Sequence, residues 1–415
     1  MMARGSESQG SPKKVLFLTV GGFPGISERG IYTDLLRKFR DHGHDVVVAC
    51  PIERRENRPT ELIADDGVRI LRVRILNLTK TNLIEKAIAT ITIEGRFRRE
   101  LRRHLGGEQF DLILYSTPPV TFDRVVSALK RAGSARSYLL LKDIFPQNAV
   151  DLGMMRRGGV VWRYFRSRER HLYAVSDWIG CMSPANVRHV LAHNPEIPAD
   201  RVEVCPNAVE PRAAREFTDM RAEARRRLGF ADEDVVLVYG GNFGRPQGVE
   251  FILEVLRRVS EVPRVRMLLV GSGTEYPRIA AAAGDDPTGR IRVMPSVGRN
   301  EYDEILSAAD IGLLFLDHRF TIPNFPSRML GYLEASVPII AATDSATDVG
   351  QVLVESNAGL SVGSDDVEAF IRTVNELADS PGRREEMGAS ARRLLEGSYT
   401  ADMAYETIAR RMEWL

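Results

Sequence analysis

Cysteine is scarce: three residues, Cys50, Cys181 and Cys205, are spread over 415, and no two share a CxxC spacing. That excludes a disulfide framework or a zinc ribbon and leaves the thiols as small core residues of a reducing compartment. Long hydrophobic runs are missing too. No stretch reaches the roughly 18 apolar residues that would cross a bilayer. Nor is there an excess of charge of one sign, since 57 Lys and Arg stand against 56 Asp and Glu, a net +1. Nothing therefore points to a nucleic-acid partner. A phosphate-binding GxxxxGK[ST] loop is absent, which argues against NTP hydrolysis. No paired acidic cluster or Cys/His spacing marks a metal site, so neither a metal nor a cofactor is expected. Residues 1–12 are polar and Gly/Ser-rich with no apolar run behind them. They read as a disordered tail rather than a signal peptide, which predicts a cytoplasmic protein.

Buried strands alternating with helices are what the chain does contain. Residues 14–20 (KVLFLTV), 45–49 (DVVVA), 111–115 (DLILY), 138–141 (YLLL) and 177–181 (DWIGC) are short, almost continuous apolar runs. A parallel sheet covered on both faces requires such runs. The first feeds GGFPGISERG, where Gly21, Gly22 and Arg29 sit at a strand-to-helix turn. These glycines serve either the turn alone or the approach of a ligand to the backbone. Asp143 stands at the carboxyl end of YLLLKD, where an open α/β sheet places its active site. It reads as a catalytic or orienting carboxylate, or as a helix cap or lysine partner. Residues 206–221 (PNAVEPRAAREFTDMR) look like a linker. Beyond them the alternation restarts with DVVLVY and a second glycine-rich turn, GGNFGRPQG, then LLVGSG and IRVMPSVG. Two such halves predict an α/β protein of two doubly wound domains.

Residues 308–348 hold two further strands, IGLLFL and PIIAAT, joined by a polar loop and a helix expected to start around 324–327. Asn324 is available as its cap and Pro326 suits the first turn. Arg328 then falls where a cation opposes the helix dipole, a conflict that a bound anion relieves. Otherwise Arg328 points outward on the surface. Residues 75–105 carry Lys80, Lys86, Arg96, Arg98, Arg99, Arg102 and Arg103 among Ile, Leu and Phe. Such a stretch is either a membrane-surface helix or a solvated helix face, and residues 162–173 (WRYFRSRERHLY) could extend the same surface.

YGGNFGRPQG, LLVGSG, SAADIGLLFL, PSRMLGYLEASVPIIAATD and the PNAV junction together resemble the family-4 retaining glycosyltransferases. KDIFPQNAVDLGMM further resembles the WbuB-like subgroup of O-antigen and capsule enzymes. The resemblance implies a GT-B fold, two Rossmann-like doubly wound domains facing across a cleft. The segments it implies are a tail over 1–12, an acceptor domain over 13–208, a nucleotide-sugar domain over 209–395, and a terminal helix over 396–415 that could cross back. It implies a nucleotide-sugar donor, a UDP-sugar, and a glycan or lipid-linked saccharide acceptor, with the enzyme cytoplasmic or peripheral on the inner membrane face.

Residue by residue, the resemblance assigns Asp143 and Arg328 to catalysis. It assigns Gly241, Asn242, Gly244, Arg245, Gln247, Gly271, Gly273, Ser296, Val297, Asn324, Ser327, Glu334 and Asp344 to the donor, and Gly21, Gly22 and Arg29 to the acceptor. The family's paired glutamates would fall on Pro323 and Gly331, neither of them acidic. A sugar-nucleotide 2-epimerase and a non-catalytic partner protein of the same fold are the competing readings.

Overall fold

A computed structural model describes residues 11–78 and 83–415. The expected tail up to residue 10, Lys80 and the Lys86 side chain lie outside the described residues. The chain forms two compact units. One holds the chain up to Val150 with Met155–Glu210 and Ala401–Leu415, the other Asp151–Met154 with Pro211–Thr400.

The first unit is built on eight strands: β1 (Lys14–Leu18), β2 (Asp45–Glu53), β3 (Glu61–Asp65), β4 (Val68–Ile75), β5 (Leu112–Ser116), β6 (Arg136–Leu141), β7 (Trp178–Cys181) and β8 (Val202–Val204). Their order is β3-β4-β2-β1-β5-β6-β7-β8, parallel except for β3 against β4. The central strands are enclosed on both faces, every residue of β5 being buried, which is why their sequences are apolar without alternation. β3 and β4 were not evident in the sequence. They interleave Arg69, Arg72 and Arg74 with apolar residues, and Arg69 is ion-paired to Asp45 and Glu108 across neighbouring elements.

The second unit has six parallel strands: β9 (Val235–Asn242), β10 (Val265–Ser272), β11 (Ile291–Pro295), β12 (Ile311–Phe315), β13 (Ile339–Thr343) and β14 (Gly359–Gly363). Their order is β11-β10-β9-β12-β13-β14. In both units the order reverses once, between β1 and β5 and between β9 and β12. Each unit is thus doubly wound, as the sequence led us to expect.

Charged stretches that looked unstructured are ordered by ion pairs. The linker expected over 206–221 is a helix from Ala214 to Leu228. Arg221 and Arg225 of that helix close on the Asp310 carboxylate at 2.6 and 3.0 Å. Helix Ala401–Arg411 belongs to the first unit, where Tyr405 packs edge-on against Phe39 with ring centroids 4.9 Å apart.

The basic stretch 75–105 becomes the end of β4 and a helix, Leu83–Leu105. Its Ala89, Ile93, Phe97, Leu101 and Leu105 are buried at a four-residue spacing, while Ile88, Ile91, Arg98, Arg99 and Arg102 face water. No helix among the described residues is long and apolar enough to cross a membrane. The inner face also brings Glu94 to a buried arginine. Arg168 sits 2.6 Å from Glu94 and 2.5 Å from Asp123, all three enclosed. Burial holds both carboxyls above their ordinary range, Arg168 opposing it.

Removing Arg168 would leave two buried carboxyls without a cation, a loss of about 3–5 kcal/mol. Arg168→Met should therefore lower the urea midpoint sharply at pH 8 and less as the pH is lowered and the raised carboxyls take up protons. A midpoint unchanged at pH 8 would show that the triad does not hold this unit together.

Candidate donor-binding and catalytic site

Parallel strands all end on one edge, so loops distant in sequence collect there. In the second unit that edge carries the turn after β9, Gly271 and Gly273 at the end of β10, and Ser296 and Val297 after β11. It also carries the long loop after β12 and Asp344 after β13. The strand order reverses between β9 and β12, and the loops following these two strands wall the crevice that such a reversal opens.

Close backbone approach explains the glycines at this edge. A β-carbon on Gly271 would lie 1.8 Å from the Gly241 carbonyl oxygen, and one on Gly273 2.1 Å from that of Phe243. Gly240 is crowded by the Tyr302 hydroxyl, 1.9 Å from where its β-carbon would be. Gly241 has φ +132° and turns its backbone towards Arg328.

Arg328 is the centre of this arrangement. Its guanidinium carbon lies 4.5 Å from the centroid of the Tyr239 ring, and its Nη1 is enclosed with no hydrogen-bond partner. Tyr302 and Tyr332 add two further phenols to the same charge. Burial pushes the Tyr302 hydroxyl up to about 12, so it stays neutral. The Tyr332 hydroxyl joins the two central strands, lying within donating distance of Val238 O on β9 at 3.0 Å and Leu313 O on β12 at 3.2 Å and accepting from Gly240 N at 3.2 Å. No carboxylate pairs with Arg328 among the described residues. A cation–π contact returns about 2 kcal/mol when desolvated, whereas enclosing a charge costs several. A bound anion closes that gap.

The helix dipole does not contribute as the sequence suggested. The helix spans only Met329–Glu334, residues 324–328 form the loop before it, and neither Asn324 nor Pro326 starts it. Asn324 instead accepts the Thr347 hydroxyl on its carbonyl.

Glu334 also takes another role. Its carboxylate is 1% exposed, accepts Arg212 N at 2.9 Å and lies 3.5 Å from Arg299, so it fastens the start of helix Ala214–Leu228 rather than lining the crevice. Gln247 turns inward and accepts Gly244 N at 3.2 Å and Asn242 Nδ2 at 3.4 Å, shaping the turn. Asn242, Arg245, Ser296 and Ser327 are exposed, and Val297 is half-buried. Arg245 has no acidic partner among the described residues and lines a cavity of about 660 Å³ with Gly248, His318 and Ser364.

Asp344 is 5% exposed. Its Oδ1 accepts Ala346 N at 2.8 Å and Thr347 N at 3.0 Å, while its Oδ2 has no partner. Burial pushes its carboxyl up to about 6.

In the first unit the corresponding crevice lies beside β1 and β5. Asp143 is exposed there, and the Thr117 hydroxyl holds its backbone, accepting Lys142 N at 2.9 Å and Asp143 N at 3.2 Å. Crowding by protein raises the Asp143 carboxyl. Tyr32, hydrogen-bonded to Ser116, feels the Asp143 charge and is pushed up to about 12, mainly by burial. Gly21 and Gly22 are exposed, with Gly21 N on the Thr19 hydroxyl at 3.0 Å, and Arg29 is tied to the Glu210 carbonyl. Sequence reasoning missed Tyr239, Tyr332, Tyr302 and Thr117. A tyrosine ending an apolar strand and another four residues after Arg328 were the available signals.

Two doubly wound units are the architecture of the GT-B transferases. Solved structures agree in fold: HepE of Anabaena in complex with UDP-glucose superposes with a TM-score of 0.68 at 14% identity, over 97% of this chain and 100% of that one. The description "Glycosyltransferase Family 4" matches residues 31–213, and "Glycosyl transferases group 1" matches 234–380. The chain belongs to the family-4 glycosyltransferases. Among curated relatives, the Pseudomonas aeruginosa protein described as "Probable glycosyltransferase WbjE" is 21% identical over 81% of this chain and 80% of its own. A GDP-mannose-dependent monoacylated α-(1-6)-phosphatidylinositol monomannoside mannosyltransferase of Corynebacterium glutamicum is 26% identical over 46% of this chain and 51% of its own.

Asp344 has a folded-state pKa above its unfolded value, near 3.9, so the folded form holds the proton more tightly and stability falls as pH rises from about 4 to about 6. Asp344→Asn should raise the unfolding free energy of the ligand-free protein at pH 8 by about 1–3 kcal/mol after allowance for solvent screening, measured by urea titration, and flatten its pH dependence. A less stable variant at pH 8 would mean that the carboxylate has a partner in solution.

Proposed function

We propose that this glycosyltransferase is a retaining enzyme of hexosyl or N-acetylhexosaminyl type. In this reading it moves a sugar from a UDP-sugar to a glycan or lipid-linked saccharide in cell-surface polysaccharide synthesis of the O-antigen or capsule kind, within the WbuB-like subgroup. The observation that carries the reading is Arg328: an enclosed guanidinium with no carboxylate, at the strand-order reversal of the second unit. It suits a leaving diphosphate, whose charge develops as the glycosidic bond breaks. Arg245 assists from the glycine-rich turn. Asp344 offers its free oxygen to donor hydroxyls, and Gly241, Gly244, Gly271 and Gly273 let the donor reach the backbone. Asn242, Ser296, Val297, Asn324 and Ser327 complete the donor side.

Retention follows if the acceptor hydroxyl attacks on the face that the diphosphate leaves, with a phosphate oxygen taking its proton. No separate base is then required, and Asp143, held by Thr117, orients the acceptor. The UDP assignment is supported by the HepE complex with UDP-glucose. The mannosyltransferase relative uses GDP-mannose, which makes a GDP-sugar the second donor reading. That relative's name also specifies a lipid acceptor, in keeping with a lipid-linked saccharide here.

A metal-free thermal-shift panel of UDP, GDP and their sugar conjugates tests the donor. Ligands that bind only the folded form raise its melting temperature. UDP is expected to give the shift, and Arg328→Ala to weaken it about 10- to 100-fold in affinity, the scale of one or two charge-assisted hydrogen bonds. A full shift in Arg328→Ala would remove Arg328 from the site, and a shift with GDP alone would select the second donor.

Peripheral membrane attachment has its own test. The outer face of helix Leu83–Leu105 presents Ile88 and Ile91 beside Arg98, Arg99 and Arg102. Co-sedimentation with anionic vesicles should occur at low salt and weaken as salt screens the charges. Absence of a salt-sensitive bound fraction would count against attachment.

A further inference from the structure

Helix Val160–Val175 leaves the carboxyl edge of the first unit's sheet and leads back to β7. One flank of it walls an open groove of about 550 Å³. Trp162, Arg163, Arg166 and Arg170 line the groove from the helix, with Glu196 and Arg201 also lining it. Four arginines thus meet one carboxylate. Arg170 is bound to that Glu196 at 2.8 Å, and Arg166 to Glu169 at 2.6 Å. Arg163 and Arg201 have no acidic partner among the described residues.

Trp162 adds a second, independent demand. Its indole Nε1 is enclosed and finds no acceptor. A buried N–H left unmade is costly, and an indole can only donate. Two free guanidinium groups and one free indole N–H call for a ligand that is anionic and rich in acceptor oxygens. A phosphate ester meets both requirements, since arginine forks match its oxygens in pairs.

The groove is connected to the chemistry of this unit. A smaller cavity of about 190 Å³ shares Trp162, Arg166 and Tyr173 with it and is lined also by Ile144, Pro146 and Gln147, in the segment after Asp143. On the same helix, Val160 is 85% exposed, and Val161 and Tyr164 are also open to water. An apolar patch beside an anion site suits a phosphate with a hydrocarbon attached.

We propose that this groove is a phosphate-ester binding site, and that it holds the phosphate of the acceptor. The anion site stands on the groove alone, whereas its assignment to the acceptor rests on the transferase reading. The test compares the full-length protein with R163E/R201E in two arms. One arm titrates glycerol phosphate calorimetrically. The other sediments the protein with vesicles of phosphatidic acid in phosphatidylcholine, or of phosphatidylcholine alone, at a salt concentration that abolishes binding to phosphatidylserine vesicles of equal charge through helix Leu83–Leu105.

We expect binding in at least one arm, weakened at least tenfold in R163E/R201E, with melting temperature and any nucleotide-induced shift unchanged. Binding in the vesicle arm alone identifies a lipid-borne phosphate, and binding in both arms a soluble ester. W162F should weaken the same interaction to a smaller extent while keeping the fold. Binding in neither arm, or equal binding by R163E/R201E, would overturn the proposal. Loss of every nucleotide shift with anion binding intact would strike the transferase reading and leave the groove.

Discussion

A positive charge without a carboxylate is the constraint on which the second unit depends. Arg328 rests on the Tyr239 ring, and its neighbours are arranged so that this is possible. Tyr332 ties β9 to β12 through one hydroxyl placed between Val238 O and Leu313 O, fixing the strand end on whose Tyr239 ring the guanidinium rests. Gly240 and Gly241 lack side chains where a phenol and the guanidinium need the space. Phenols rather than carboxylates surround the charge, so it is sheltered without being neutralised. A carboxylate there would form an ion pair and close the site to an anionic ligand.

The first unit handles charge in the opposite way. Its buried cation, Arg168, is ion-paired with both Glu94 and Asp123 and joins three helices. Asp34 likewise accepts Gly30 N at 3.0 Å and Glu210 N at 2.8 Å, fixing the glycine-rich turn to the end of the unit's chain segment. These paired charges hold the scaffold. The unpaired ones, Asp143 on its crevice and Arg163 with Arg201 on the groove, are at places a ligand can reach.

The strands were legible because a sheet covered on both faces leaves no room for polar alternation, as in β5, β9, β12 and β13. β3 and β4 were not, because an edge pair that interleaves Arg69, Arg72 and Arg74 with its apolar residues resembles a charged loop. Residues 214–221 were read as a linker for a related reason: a helix whose arginines find Asp310 only after folding shows no sustained apolar period. The helix expected from 324–327 begins at Met329, since a cap residue and a proline permit a start without requiring one. Of the candidate site, the glycines and Arg328 were visible, whereas the partners that give Arg328 its meaning come from β9, 89 residues earlier, from helix Arg299–Ala308, 26 residues earlier, and from Tyr332, four residues later.

The amino-acid order by itself determined two doubly wound parallel sheets, their glycine-rich turns and the positions where strands end, because these follow from burial on both faces and from backbone sterics acting within a few residues. Tertiary structure alone decided which charges are satisfied. Glu334 and Arg328 stand six residues apart on neighbouring turns of the same segment, yet one is closed off by Arg212 and Arg299 and the other is left without an acid. That difference depends on what packs against each side chain from distant parts of the chain, and a charge acquires its function from its surroundings rather than from its place in the sequence.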